Sequence, residues 1–131
     1  MIAIDTNIVV RIVAADDRAQ LAKALRLIEG NAVYLGPTVL LECEWVLKSA
    51  YKLDRAAIER SLRGIVGLAN VHTYDDAAVT KALDLFAAGV DFGDAMHLGL
   101  TGSAEVFVTF DASLRKRGSR LQDSIKLIAP D

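Results

Sequence analysis

Short β-prone runs alternate with segments of helical period along the whole chain, and two of those runs end abruptly in an aspartate. Met1-Ile2-Ala3-Ile4 is apolar and closes on Asp5, with Thr6 and Asn7 following as small polar groups suited to a helix start. Val106-Phe107-Val108-Thr109-Phe110 repeats the form and closes on Asp111. Strands separated throughout by helices argue for a parallel sheet covered on both faces. The expected fold is therefore α/β, a three-layer α/β/α sandwich with a central, mainly parallel sheet. If the two acid-tipped strands lie parallel and adjacent, Asp5 and Asp111 meet at one sheet edge. Ligands of open α/β sheets bind there, beyond the carboxyl ends of the strands.

Punctuation between the runs sets the remaining elements. Leu21, Leu25 and Ile28 mark one face of a helix spanning Asp16 to Gly30, where glycine ends it. Val33-Tyr34-Leu35 is a short strand stopped by Gly36-Pro37, and Thr38 is a plausible cap for a helix reaching about Tyr51. Asp54 should cap a helix from Arg55 to about Leu68, followed by a strand at Val71 to Tyr74. Asp75-Asp76 open the next helix, to about Ala88, and Gly93-Asp94 start a short one closed by Gly102-Ser103. Ile125 to Ala129 reads as an edge strand. With 131 residues, no linker and no repeat, one domain over 1–131 is expected.

Composition excludes several classes. A hydrophobic share of 53% is high, but no apolar run approaches the roughly 20 residues of a membrane-spanning helix. The start carries neither a basic region nor a small-residue cleavage site, so a cytoplasmic location is expected. The lone Cys43 rules out an internal disulfide and a thiolate zinc cage, and in an apolar helix it reads as a small buried hydrophobe. Fifteen basic against seventeen acidic side chains give a net charge of −2, so charge placement rather than total charge must speak for nucleic acid. The densest basic stretch, Arg115-Lys116-Arg117 with Arg120, follows Asp111 closely and suits RNA phosphates or a solvated helix face.

The acids carry the chemistry. Carboxylates converging on one small site either hold protons at raised pKa or neutralise a cation, and hard oxygen donors select Mg²⁺ or Mn²⁺. Such an ion lowers the pKa of a bound water and stabilises a leaving oxygen, which suits phosphodiester hydrolysis. Asp5, Glu42, Asp94 and Asp111 are the candidate catalytic and metal-binding residues, with Thr6, Asn7, Asp91 and Thr109 as supporting polar groups. Asp5 and Asp94 each have an alternative as helix N-caps, worth about 1 kcal/mol. Glu42 lies in the apolar stretch Val39 to Leu47, where an unpaired buried charge is expensive. Glu44 competes with it, but at about 100° per residue only one of the two can face the site. His97 follows Asp94 by one turn and reads more readily as helix packing than as a ligand or base, and His72 as a plain strand residue.

Taken together, Ile4-Asp5-Thr6-Asn7, Leu40-Leu41-Glu42-Cys43-Glu44-Trp45-Val46-Leu47, Asp91-Phe92-Gly93-Asp94-Ala95-Met96-His97 and Val108-Thr109-Phe110-Asp111 resemble a PIN domain of the VapC toxin type. The motifs occur in the family's order and span nearly the entire chain. The resemblance maps the family's acidic cluster onto Asp5, Glu42, Asp94 and Asp111, with Asp91 as an occasional addition and Thr6 and Thr109 at its small polar positions. It implies a Mg²⁺- or Mn²⁺-dependent endoribonuclease that arrests translation, a homodimer held in check by a cognate VapB-like antitoxin.

Two alternatives remain. A housekeeping RNA-processing PIN nuclease would carry the same acids. A receiver-like signalling module would need Asp75 or Asp76 as phosphoacceptor and a lysine after the last strand, whereas Lys126 stands at that strand's start and Glu42 would have no role.

Overall fold

Each short apolar run forms a strand, and every described pairing is parallel. The computed structural model describes residues 1–121 and 125–131. The chain gathers into two units, Met1–Asp76 and Ala77–Asp131.

In the first unit the order is β1 (Ile2–Ala3), α1 (Thr6–Ala14), α2 (Arg18–Glu29), β2 (Val33–Leu35), α3 (Pro37–Ser49), α4 (Arg55–Val66) and β3 (Val71–Thr73). The strands lie in the order β1-β2-β3, with Ile2 opposite Val33 and Val33 opposite Val71. Parallel strands need helical crossovers, and these supply the covering apolar faces. Val9, Val33, Leu35, Leu40, Leu47, Ile58 and Leu62 are fully buried in consequence. Helix ends follow local chemistry. Asp17 and Asp54 cap α2 and α4 by accepting from Gln20 N at 3.0 Å and Ala57 N at 2.8 Å. α3 begins one residue before the expected Thr38 cap, because Pro37 fits the first helical turn, where its missing N–H costs nothing.

The second unit runs on through α5 (Asp76–Ala87), α6 (Phe92–Gly99), β4 (Val106–Val108), α7 (Ala112–Leu121) and β5 (Lys126–Ile128). β4 and β5 form their own parallel pair, Phe107 opposite Leu127. Among the described residues, β1 ladders to β2 and β4 to β5, so the expected side-by-side ladder of the two acid-tipped strands is not among them. Phe86 of α5 meets Phe92 of α6 edge to face, centroids 5.2 Å apart. At Gly99 a Cβ would stand 2.7 Å from the Ala78 carbonyl oxygen, so this close approach of α6 to α5 requires glycine. No helix among the described residues is long and apolar enough to cross a membrane.

Candidate active site

The first unit carries two of the expected acids. Asp5 follows β1 at the N-cap of α1, and its Oδ1 accepts from Thr6 N at 2.7 Å. A capping aspartate ordinarily satisfies the second or third helical N–H, so this bond to the first leaves the capping explanation incomplete. Asp5 is exposed and lines an open pocket of about 440 Å³ with Thr6, Asn7, Arg11, Glu42 and Tyr51. Thr6 is buried, and its Oγ1 has no hydrogen-bond partner among the described residues. Cys43 lies near these groups. Burial first, then the charges of Glu42 and Asp5, push its thiol up to about 12, partly offset by the Thr6 hydroxyl. Cys43 is therefore a neutral, buried thiol at physiological pH.

The two glutamates of α3 exchange the burial that sequence reasoning gave them. Glu44, 7% exposed, is the buried one, and it pairs with Lys48 at 3.3 Å. Glu42 is exposed and faces the pocket beside Asp5. The helical period separates the two directions but does not say which of them points inward.

The second unit carries the other acids. Asp91, Asp94 and Asp111 line one open pocket of about 100 Å³ with Val90, Ser113, Leu114 and Arg117. Asp91 is the N-cap of α6, its Oδ2 accepting from Asp94 N at 3.4 Å. Asp94 thus sits inside the first turn rather than at the cap, and its carboxylate is free of that duty. Asp111 does cap, its Oδ1 accepting from Leu114 N at 2.9 Å at the start of α7. The Thr109 hydroxyl accepts from Asp111 N at 3.1 Å and fixes the turn. Partial burial, then the charges of Asp91 and Asp111, raise the Asp94 pKa, while His97 works against them. Burial disfavours the charged form, and the like charges of the two neighbours add to it. His97 itself is exposed on α6, not packed against a neighbouring helix.

The basic stretch divides by partner. Arg115 donates to the Thr109 carbonyl at 2.7 Å, and Arg117 donates to the Gly89 carbonyl at 2.6 Å while lining the aspartate pocket. Lys116 and Arg120 are exposed on α7. One group beside the acids escaped sequence reasoning. Arg11 lines the Asp5 pocket and donates to Tyr51 Oη at 3.2 Å, and the Tyr51 hydroxyl donates to Asp16 at 3.3 Å. A single arginine six residues beyond Asp5 in an otherwise apolar helix was the available signal.

The family profile described as PIN domain matches residues 2–119. The chain belongs to the PIN domain family. PIN domains are generally metal-dependent nucleases, and the family match spans every acid placed above. No curated protein matches the sequence. Among the described residues no three His, Cys, Asp or Glu side chains stand close enough to hold an ion together. The donor set nevertheless suits a hard cation in this PIN domain. Asp91, Asp94 and Asp111 offer carboxylate oxygens around one pocket, and Mg²⁺ is commonly held through one or two carboxylates while keeping several waters. In the first unit, Asp5 and Glu42 likewise line one pocket with Thr6.

Proposed function

We propose that this PIN domain is a Mg²⁺- or Mn²⁺-dependent endoribonuclease, the toxin of a type II toxin–antitoxin pair, which hydrolyses RNA phosphodiester bonds and thereby inhibits translation. The observation that carries the nuclease reading is the pocket of Asp91, Asp94 and Asp111, where partial burial and then the charges of its two acidic neighbours raise the Asp94 pKa. The toxin role rests on the resemblance of the four motifs to the VapC type.

In this reading Asp94 and Asp111 hold the ion in their unit, and Asp5 and Glu42 are the further acids that the resemblance assigns to it. When bound, the ion supplies a Lewis acid and a water of lowered pKa. The chain's own residues do the rest. Asp91 holds the first turn of α6 and so aims Asp94. Thr109 and Arg115 pin the turn that carries Asp111. Arg117 brings a guanidinium to the same pocket, where it suits a phosphodiester oxygen. Partners in this reading are the RNA substrate, a cognate VapB-like antitoxin and a second copy of the chain, with action in the cytoplasm.

The test is cleavage of a panel of tRNA and other structured RNAs by antitoxin-free protein in Mg²⁺, Mn²⁺ or EDTA, beside Asp94→Asn purified identically. Metal-dependent cuts absent from the variant support the nuclease. Growth arrest on expression, relieved by a neighbouring small DNA-binding gene, separates the toxin from a housekeeping RNA-processing enzyme. Equal products from both proteins would defeat the proposal.

A further inference from the structure

Among the described residues, the most exposed large hydrophobic side chain is Phe110, at 88%, and it is the residue immediately before Asp111. An isolated exposed apolar side chain ordinarily requires no explanation. Phe110 differs in how it is held. Thr109 N donates to the Ile128 carbonyl at 3.0 Å, the Thr109 hydroxyl accepts from Asp111 N at 3.1 Å, and Arg115 donates to the Thr109 carbonyl at 2.7 Å. On the other side Asp111 Oδ1 accepts from Leu114 N at 2.9 Å. The backbone on both sides of the ring is therefore tied down while the ring itself projects into water. A side chain with two rotatable bonds on a fixed turn loses little entropy when it takes a ligand, which is the condition for a preorganised contact.

Position narrows the ligand. Phe110 does not itself line the pocket of Asp91, Asp94, Asp111 and Arg117, but consecutive Cα atoms are about 3.8 Å apart, so its ring is anchored one residue from that pocket, within reach of a nucleotide next to its occupant. If that occupant is an RNA phosphodiester, the neighbouring chemistry is a nucleobase, whose face stacks on aromatic rings without sequence preference. Paired bases in an A-form helix are stacked already and closed to a ring, so the base must be unpaired. Tyr74 and Trp45 are also exposed, at 72% and 61%, but neither belongs to the turn that carries Asp111.

We propose that Phe110 is a stacking platform for an unpaired base flanking the cleaved phosphodiester. The inference rests on the nuclease reading above. Its rival is a protein contact, because Val106 and Val108 of β4, just before Phe110, are also exposed, at 41% and 54%.

The experiment uses a short single-stranded oligoribonucleotide carrying a fluorescent aminopurine, on an Asp94→Asn background that leaves the RNA intact. Binding should change the aminopurine signal through stacking. Adding Phe110→Ala should weaken binding roughly 5- to 100-fold, the range of losing one base–aromatic stack, and remove that change. Phe110→Trp should restore both. The dependence of binding on salt should be the same with and without the ring, because a neutral contact releases no counterions. Val108→Thr should leave RNA binding unchanged, and the single-substitution Phe110→Ala protein should melt as wild type does. Equal binding and signal with and without the ring overturns the inference while leaving the nuclease intact. Loss of self-association on Phe110→Ala or Val108→Thr with RNA binding unchanged assigns the face to a protein partner instead. A large loss of stability on Phe110→Ala makes the ring part of the fold and also overturns it. Failure of the wild-type protein to cleave or bind any RNA removes the proposed function, and the inference with it.

Discussion

Replacing Asp94 by asparagine separates a working carboxylate from a structural one, because the two roles differ in the sign and the pH dependence of stability. Partial burial and then the Asp91 and Asp111 charges raise the folded-state pKa of Asp94 above its unfolded value. A group raised in this way stabilises the fold fully below the ordinary carboxylate pKa of about 3.9, and loses that contribution as pH rises through the folded value. At neutral pH, without metal, ionised Asp94 therefore opposes folding, and asparagine relieves it. The magnitude is small. Asp94 is partly exposed, unit charges a few ångströms apart in water repel by about 1 kcal/mol, and solvent screening lowers that further. Position opposes the relief, since a carboxylate in the first turn of α6 gains about 0.3 to 1 kcal/mol from the helix dipole. The two effects nearly cancel, so metal-free Asp94→Asn should melt within a few degrees of wild type. The variant should gain relative to wild type as pH rises from about 3 to 7, while metal-dependent cleavage falls at least about 100-fold. Thermal melts in EDTA across that pH range, beside the cleavage assay, give both readings. A loss above about 2 kcal/mol at neutral pH, or a difference that does not move with pH, would return Asp94 to a structural role.

The exchange between the α3 glutamates predicts that Lys48→Ala, which strands the buried Glu44, costs about 1 to 3 kcal/mol and spares cleavage. Glu42→Gln should do the reverse, and denaturant melts with the cleavage assay compare them. Two glycine-to-alanine changes should differ in sign. Gly64→Ala, with nothing within 4 Å of the new Cβ inside α4, should stabilise by roughly 1 kcal/mol in urea titrations. Gly99→Ala drives its Cβ to 2.7 Å from the Ala78 carbonyl oxygen and should cost about 1 to 3 kcal/mol. If Asp94 and Asp111 serve one ion, calorimetric Mn²⁺ affinities of Asp94→Asn, Asp111→Asn and the double variant will not add, whereas additive losses would mean separate roles.

The strands and most helix ends were legible because their causes are local. Gly30 and Asp54 punctuate α2 and α4 locally, and no distant contact is needed to read them, whereas the cap of α2 is Asp17 rather than the expected start at Asp16. Asp94 was legible as an acid at a helix start but not as an in-helix residue. Asp91 and Asp94 flank Gly93, either can cap, and only the bond from Asp94 N to Asp91 decides. Glu42 was placed correctly in its helix for the wrong reason, since apolar neighbours do not reveal which way a side chain turns. Arg11 was missed because its partner Tyr51 stands 40 residues away, beyond any local pattern. Which strands ladder together, β1-β2-β3 and β4-β5 among the described residues, has no local signature either.

Charge bears on the proposed reaction. The chain carries a net charge of −2, and three aspartates line the pocket of the second unit against one arginine, so without metal that pocket repels a polyanion. Arg117 is tied to the Gly89 carbonyl and Arg115 to that of Thr109, which leaves each guanidinium only part of its donors for phosphate. In the proposed reaction, neutralising the carboxylates of this pocket, by a bound cation or in part by Asp94→Asn, lowers that barrier, and Arg117 then has a phosphate oxygen to meet. RNA affinity should accordingly rise with Mg²⁺ and fall with monovalent salt. A neutral contact such as a stacked base is the one attraction that neither charge state weakens, which is why an exposed aromatic ring beside the acids matters more here than it would on a basic RNA-binding surface.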